Sequence, residues 1–152
     1  MLNFFRQLFY QCVVLVLIFF CGACQTPGFV ISESYVPVKQ TRVAVVTVLG
    51  PARTVSQNGR EITTQYHDRN LKYLDVTPKT KERLYTKVTI LGARRPFDVA
   101  VETHIERRDP TTRDFVDVGL DENLTAKQGA IVQEALHQSR DKSDAIDVEI
   151  PF

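Results

Sequence analysis

Apolar and polar residues alternate most regularly across the middle of the chain. From Lys81 to Leu91, Leu84, Thr86, Val88 and Ile90 recur at every second position. From Pro96 to Arg107 the same period sets Phe97, Val99, Val101, Thr103 and Ile105 on one side, and Asp98, Glu102, His104 and Glu106 on the other. A period of two is the repeat of an extended strand, whose side chains point to opposite faces in turn. It predicts two half-buried antiparallel strands, with Gly92-Ala93-Arg94-Arg95 as the hairpin loop between them. The Asp109–Arg113 cluster predicts a turn, and Phe115–Leu120 a strand after it. Upstream, Asn58-Gly59 separates Thr54–Gln57 from Arg60–Tyr66. Asn-Gly accepts the positive φ of a type I′ turn, so these flanks predict a hairpin. His67–Asn70 reads as a second turn and Leu71–Val76 as a short return strand. Val43–Leu49 is a dense β-branched run closed by Gly50-Pro51, the pattern of a strand buried on both faces. Ala145–Phe152 alternates again, placing Ile146, Val148, Ile150 and Phe152 together as a terminal strand or apolar tail.

The period changes once. Leu124, Gln128, Ile131 and Ala135, with Val132 and Leu136, follow helical spacing, and Thr125-Ala126-Lys127-Gln128 has the form of a capping box. A helix over about 125–139 is expected. An amphipathic helix needs a sheet face to cover. The expected fold is therefore α+β: an antiparallel meander of about six or seven strands with one helix packed on it.

The first 24 residues differ from the rest. Arg6 is the one charge before an apolar stretch that runs from Cys12 to Phe20, and Cys21-Gly22-Ala23-Cys24 closes it with small residues. Charged head, apolar middle and small-residue end are the layout of a secretory signal. The last four residues resemble the lipobox of bacterial lipoproteins. That resemblance implies removal of 1–23, with Cys24 as the acylated first residue of the mature protein. It also implies an outer-membrane location facing the periplasm, because Gln25 stands where Asp marks inner-membrane retention. Two or more acyl chains hold a protein stably on a bilayer. The alternatives are an inner-membrane lipoprotein, cleavage after Ala23 to give a soluble periplasmic protein, and an uncleaved membrane helix. Residues 24–41, with Pro27, Gly28 and Pro37, are expected to be a lipidated stalk, a loose linker with at most a short extended piece at Phe29–Ile31, and 42–152 a single domain.

Charge and cysteine content narrow the function. The chain carries 19 Lys and Arg against 18 Asp and Glu, and loss of Arg6 with the leader leaves the mature protein neutral. A nucleic-acid binder should show a basic excess. All three cysteines, Cys12, Cys21 and Cys24, precede the domain, so neither an internal disulfide nor a cysteine metal site is available to it. No cofactor is expected.

Catalytic signals are sparse. His104 lies between Glu102 and Glu106 on the polar side of one strand, and His67 could approach from a neighbour, which makes these four the candidate metal ligands. No His-x-x-x-His spacing supports them. A solvated sheet face with cross-strand charge pairs is the plainer reading. No serine sits in a nucleophile elbow, and no glycine-rich phosphate loop is present. Arg94-Arg95 and Arg107-Arg108 fall at opposite ends of the long hairpin as candidate partner contacts, with Phe152 at the terminus. Tyr35, Tyr66, Tyr73 and Tyr85 could share an aromatic surface. The expected function is non-enzymatic: a lipid-anchored envelope protein that binds or scaffolds a protein partner. The alternatives are a periplasmic metal-dependent hydrolase using Glu102, His104 and His67, and a carrier of an apolar ligand between helix and sheet.

Overall fold

The computed structural model describes the backbone of residues 28–148 and the side chains of 28–141. The leader, Cys24 and Phe152 lie outside the described residues.

Six strands form one antiparallel sheet. The alternating runs become its two longest members, β4 (Glu82–Leu91) and β5 (Phe97–Arg108), paired from Glu82↔Arg107 to Leu91↔Asp98. Leu84, Thr86, Val88 and Ile90 are buried, as are Phe97, Val99, Val101 and Thr103. The Asn58-Gly59 hairpin joins β2 (Ala52–Val55) to β3 (Glu61–Thr64), and β3 pairs with β4. The far edge of β5 is shared by two strands lying end to end. β1 (Phe29–Ser34) takes Phe97 to Val101, and β6 (Phe115–Leu120) takes His104 to Arg108.

Two helices cover one face of this sheet, α1 (Val38–Leu49) and α2 (Glu122–Val148). Ala44 and Val45 of α1, Val132 and Leu136 of α2, and Ile31, Ile62, Val88, Val99 and Val101 of the sheet form one core. Fully burying such a side chain stabilises by about 1.5–3 kcal/mol. The α+β class and the helix on the sheet agree with the sequence reading.

Four expectations are corrected. Val43–Leu49 is helical, not a strand. Its buried positions Thr41, Ala44 and Val45 are spaced by three and four, while Val43 is 60% exposed. The few tenths of a kcal/mol that each valine costs a helix are outweighed by that burial. Gly50 at φ 87 ends α1, its N–H bonding the Val46 carbonyl at 3.1 Å, and Pro51 follows. Residues 29–41 are not a loose stalk, since they supply β1 and the first turn of α1, and the packed domain starts at β1 rather than at Arg42. Leu71–Val76 forms no strand, only an isolated bridge between His67 and Tyr73. Ala145–Val148 continues α2 instead of starting a terminal strand.

The start of α2 also differs. Asp121 caps it, its Oδ1 accepting the Leu124 N–H at 3.0 Å. Thr125 and Gln128, the expected capping pair, are 5% and 4% exposed and turn toward the sheet. No helix among the described residues is long and apolar enough to cross a membrane.

Candidate functional site

Three places combine polar side chains with shape: the open face of the sheet, a buried polar hub beneath α2, and a groove between β1 and α2.

On the open face, strand pleating brings together the side chains that alternate with the core residues. His104 donates from Nδ1 to Asp117 Oδ2 at 2.8 Å, which fixes its tautomer. Its Nε2 is buried without a hydrogen-bond partner, and Glu102 Oε2 stands 3.7 Å away. The ring stacks on Tyr85 with centroids 5.0 Å apart and planes 4° from parallel. Burial, and then the Asp117 and Glu106 charges, push the Tyr85 phenol above its ordinary pKa. Glu106 is taken instead by Arg83, at 2.5 Å. Arginines and rings then interleave across the face. Arg83 lies 3.9 Å from the Tyr66 centroid and 3.8 Å from that of Phe115. Arg53 covers Tyr66 at 4.1 Å and Arg108 covers Phe115 at 4.5 Å. Contacts of this kind contribute about 0.5–2 kcal/mol each. Tyr66 and Phe115 thus each meet two guanidinium groups.

This arrangement overturns the grouping proposed for a hydrolase. His67 sits on the opposite, helix-covered face, 7% exposed, with Nε2 3.4 Å from the Thr86 hydroxyl. The sheet itself separates it from His104, because Thr86 and Tyr85 are adjacent strand residues and point to opposite faces. Among the described residues, no group of three His, Cys, Asp or Glu side chains is placed to hold a metal ion. An Asp-oriented histidine is half of an acid–base pair, but its second nitrogen is buried beside the Glu102 carboxylate, and no hydroxyl among the described residues bonds to it.

The paired arginines separate as expected. Arg94 and Arg95 are exposed in the β4–β5 loop. At the other end, Arg107 bonds Glu82 Oε2 at 3.0 Å, and Arg108 donates to the carbonyls of Thr80, Thr77 and Arg113. The second pair is therefore committed to structure. The tyrosines divide too: Tyr66 and Tyr85 meet edge to face at 6.3 Å, whereas Tyr35 and Tyr73 are exposed elsewhere.

Sequence patterning missed the polar hub. Thr86 is wholly buried, and its hydroxyl reaches Gln128 Oε1, Thr103 Oγ1 at 3.2 Å and His67. Two further hydroxyls stand in for absent strand neighbours. Thr64 Oγ1 accepts the Thr86 N–H at 2.9 Å, and Thr125 Oγ1 accepts the Thr103 N–H at 2.9 Å. The latter seals the gap on β5 between the end of β6 and the start of β1, where the Asp121 N–H also bonds the Thr103 carbonyl. Threonines at core positions of both long strands were the available signal. Beside the hub lies a pocket of about 360 Å³, with Thr64, His67 and Gln128 in its wall and Leu49, Leu71 and Tyr73 around it.

The groove, of about 340 Å³, runs between β1 and α2. Residues 30–36 form one wall, and Gln133, Leu136, His137 and Arg140 the other. No family model, no curated protein and no solved structure matches the chain.

Proposed function

We propose that this protein is a lipid-anchored, periplasm-facing binding or scaffolding domain of the cell envelope, held at the outer membrane through Cys24. The observation that carries this reading is the position of β1. It starts at Phe29, five residues after the candidate acylated cysteine. Five extended residues span at most about 17 Å. A lipid on Cys24 therefore holds the β1 edge of the domain, with its groove, close to the bilayer surface. The neutral charge of the mature chain supports a lipid, rather than basic attraction, as the source of attachment.

The test is mass spectrometry of the mature amino terminus together with membrane fractionation. The wild-type protein is expected to begin at Cys24, carry the acyl mass and fractionate with the outer membrane. Cys24→Ala is expected to lose both the mass and the fractionation. An amino terminus at Met1, or unmodified Cys24 in the soluble fraction, refutes the anchor.

A second reading, carriage of an apolar ligand, is favoured by the pocket beside Gln128, because apolar walls with a few convergent polar groups define small-molecule sites. Saturable uptake of a fluorescent fatty-acid probe, weakened by Tyr73→Ala, is its expected signature. Absence of saturation removes it.

A further inference from the structure

We infer that the pocket beside Gln128 binds an uncharged, largely apolar molecule of about two-ring size, held through a hydroxyl group of the ligand. The inference rests on the ligand-carrier reading and names the chemistry of the ligand.

The apolar wall of this pocket is still open to water. Val48 and Leu49 come from the last turn of α1, Pro51 from just after it, and Leu71 and Tyr73 from the irregular segment after β3. Val48 is 37% exposed and Tyr73 71%, so a ligand lying here covers apolar surface that the fold itself leaves bare. The volume of about 360 Å³ is more than twice the roughly 150 Å³ that holds one benzene ring. Among the described residues the wall contains no Asp, Glu, Lys or Arg. A charged group entering it loses hydration and gains no counter-ion. An acid enters apolar end first, with its carboxylate left in water.

The buried polar groups of the wall differ in what they have left to bond. Thr64 Oγ1 accepts the Thr86 N–H at 2.9 Å and donates to the Gln65 carbonyl at 3.0 Å. His67 donates from Nδ1 to the Asp68 carbonyl at 2.9 Å, and its Nε2 faces the Thr86 hydroxyl. Gln128 spends only one end of its amide. Oε1 meets Thr86 Oγ1, while Nε2 has no hydrogen-bond partner among the described residues. The unpartnered side-chain atoms sealed from solvent are Ser34 Oγ and His104 Nε2, so Gln128 Nε2 is not sealed. On a side chain only 4% exposed, the pocket is its opening. Two N–H donors there call for an acceptor. Turning the amide over keeps the Thr86 bond, because a hydroxyl both donates and accepts, and then presents a carbonyl that calls for a donor. A hydroxyl on the ligand satisfies Gln128 in either orientation; an ether or ketone satisfies one, and a hydrocarbon neither.

The test measures saturable binding of 2-naphthol, naphthalene and 2-naphthoate to the full-length protein in phospholipid nanodiscs by equilibrium dialysis, above the linear uptake of empty nanodiscs. In the wild type, 2-naphthol is expected to bind about tenfold more tightly than 2-naphthoate. Gln128→Met keeps the length of the side chain and removes its polar end. It is expected to weaken 2-naphthol about tenfold and to leave naphthalene unchanged, which also reports that the variant is folded. Val48→Trp, at an exposed position of the wall, is expected to fill the pocket and abolish saturable binding of both. The wild-type ranking and Val48→Trp decide without Gln128→Met should that variant not fold. Equal weakening of 2-naphthol and naphthalene by Gln128→Met, or 2-naphthoate bound as tightly as 2-naphthol, overturns the inference and leaves the carrier reading standing. Saturable binding that Val48→Trp does not alter lies outside this pocket and overturns the inference as well. No saturable binding of any probe, the result if water alone fills the pocket, removes the carrier reading and the inference together.

Discussion

Gly129 should be a position where alanine harms a helix. In an exposed helix interior, Gly→Ala stabilises by about 1 kcal/mol, because glycine forfeits more backbone entropy on folding. Here Phe29 of β1 lies directly against the helix backbone. A Cβ placed on Gly129 meets the Phe29 Cγ at 2.2 Å, its Cδ1 at 2.3 Å and its Cβ at 2.6 Å. The Phe29 Cβ is close to its own backbone and cannot swing aside as a ring edge can. Relief requires β1 to shift or Phe29 to leave the core it packs against. Overpacking of this kind costs about 1–3 kcal/mol, and surrendering the packing of a partly buried aromatic costs no more than that. After subtracting the helical gain, Gly129→Ala is expected to destabilise by about 1–2 kcal/mol. That corresponds to a fall in Tm of roughly 5 °C for a domain of this size. Urea unfolding followed by far-ultraviolet circular dichroism measures it. The companion measurement is the double mutant: Phe29→Ala removes the ring carbons from the clash and leaves the Cβ contact at 2.6 Å, so Gly129→Ala should cost less in that background than in the wild type. An unchanged or increased stability of Gly129→Ala in the wild-type background refutes the contact between β1 and α2.

The polar hub and an ion pair yield the remaining predictions. Thr86→Val keeps volume and suits a strand, yet it strips Gln128, Thr103 and His67 of their shared hydroxyl. A loss of about 2–3 kcal/mol is expected on urea unfolding; a neutral result means that the hub does not hold α2. Glu82 accepts from Arg69 and Arg107 at 2.9 and 3.0 Å, and the Arg69 bond is the main influence holding its carboxyl below the ordinary value of 4.5. The folded carboxyl binds its proton less readily than the unfolded one, so the contribution is present in full above pH 4.5 and is lost as pH falls through the lower folded value. Glu82→Gln should therefore flatten the acid limb of a Tm-against-pH curve below pH 4.5 while leaving its neutral plateau's shape unchanged; an unaltered acid limb contradicts the pairing.

Legibility followed how strongly a local pattern excludes its competitor. The β4–β5 hairpin was legible because its ten paired positions alternate between core and open face, with the buried Ala100 as the exception on β5. Asn58-Gly59 marked the hairpin but not its turn type: Gly59 adopts φ 68 while Asn58 does not take the positive φ of a type I′ turn, and the loop spans residues 56–60 with the Gly59 N–H on the Ser56 carbonyl at 2.8 Å. Val43–Leu49 was misread because β-branched content suggested a strand, whereas the 41, 44, 45 spacing of its buried positions decides. The pairing of β1 was hidden, since its partner lies far along the chain and six residues are too few to show a period. At the candidate sites, sequence order placed Glu102, His104 and Glu106 correctly on one polar face. It could not tell that His67 would fall on the other, because that depends on where an irregular loop re-enters the sheet. Thr125 and Gln128 looked like a cap because their spacing fits one. Only the sheet beneath them shows that their polar atoms satisfy core hydrogen bonds.

The pairing of β1 with β5 also sets an order of assembly. The Glu33–Asp98 bond across this seam joins residues 65 apart in sequence. A chain made from its amino terminus presents β1 first, yet β1 has no strand to join until β5 has been completed and has paired with β4. Contacts of such separation form late and slow folding. They also tend to open first when a domain breathes, because few local bonds hold them. The edge nearest Cys24 is thus the last seam to close. Hydrogen exchange should find Val30 and Ile31 trading their amide protons well before Val88 or Val101, at the centre of the same sheet.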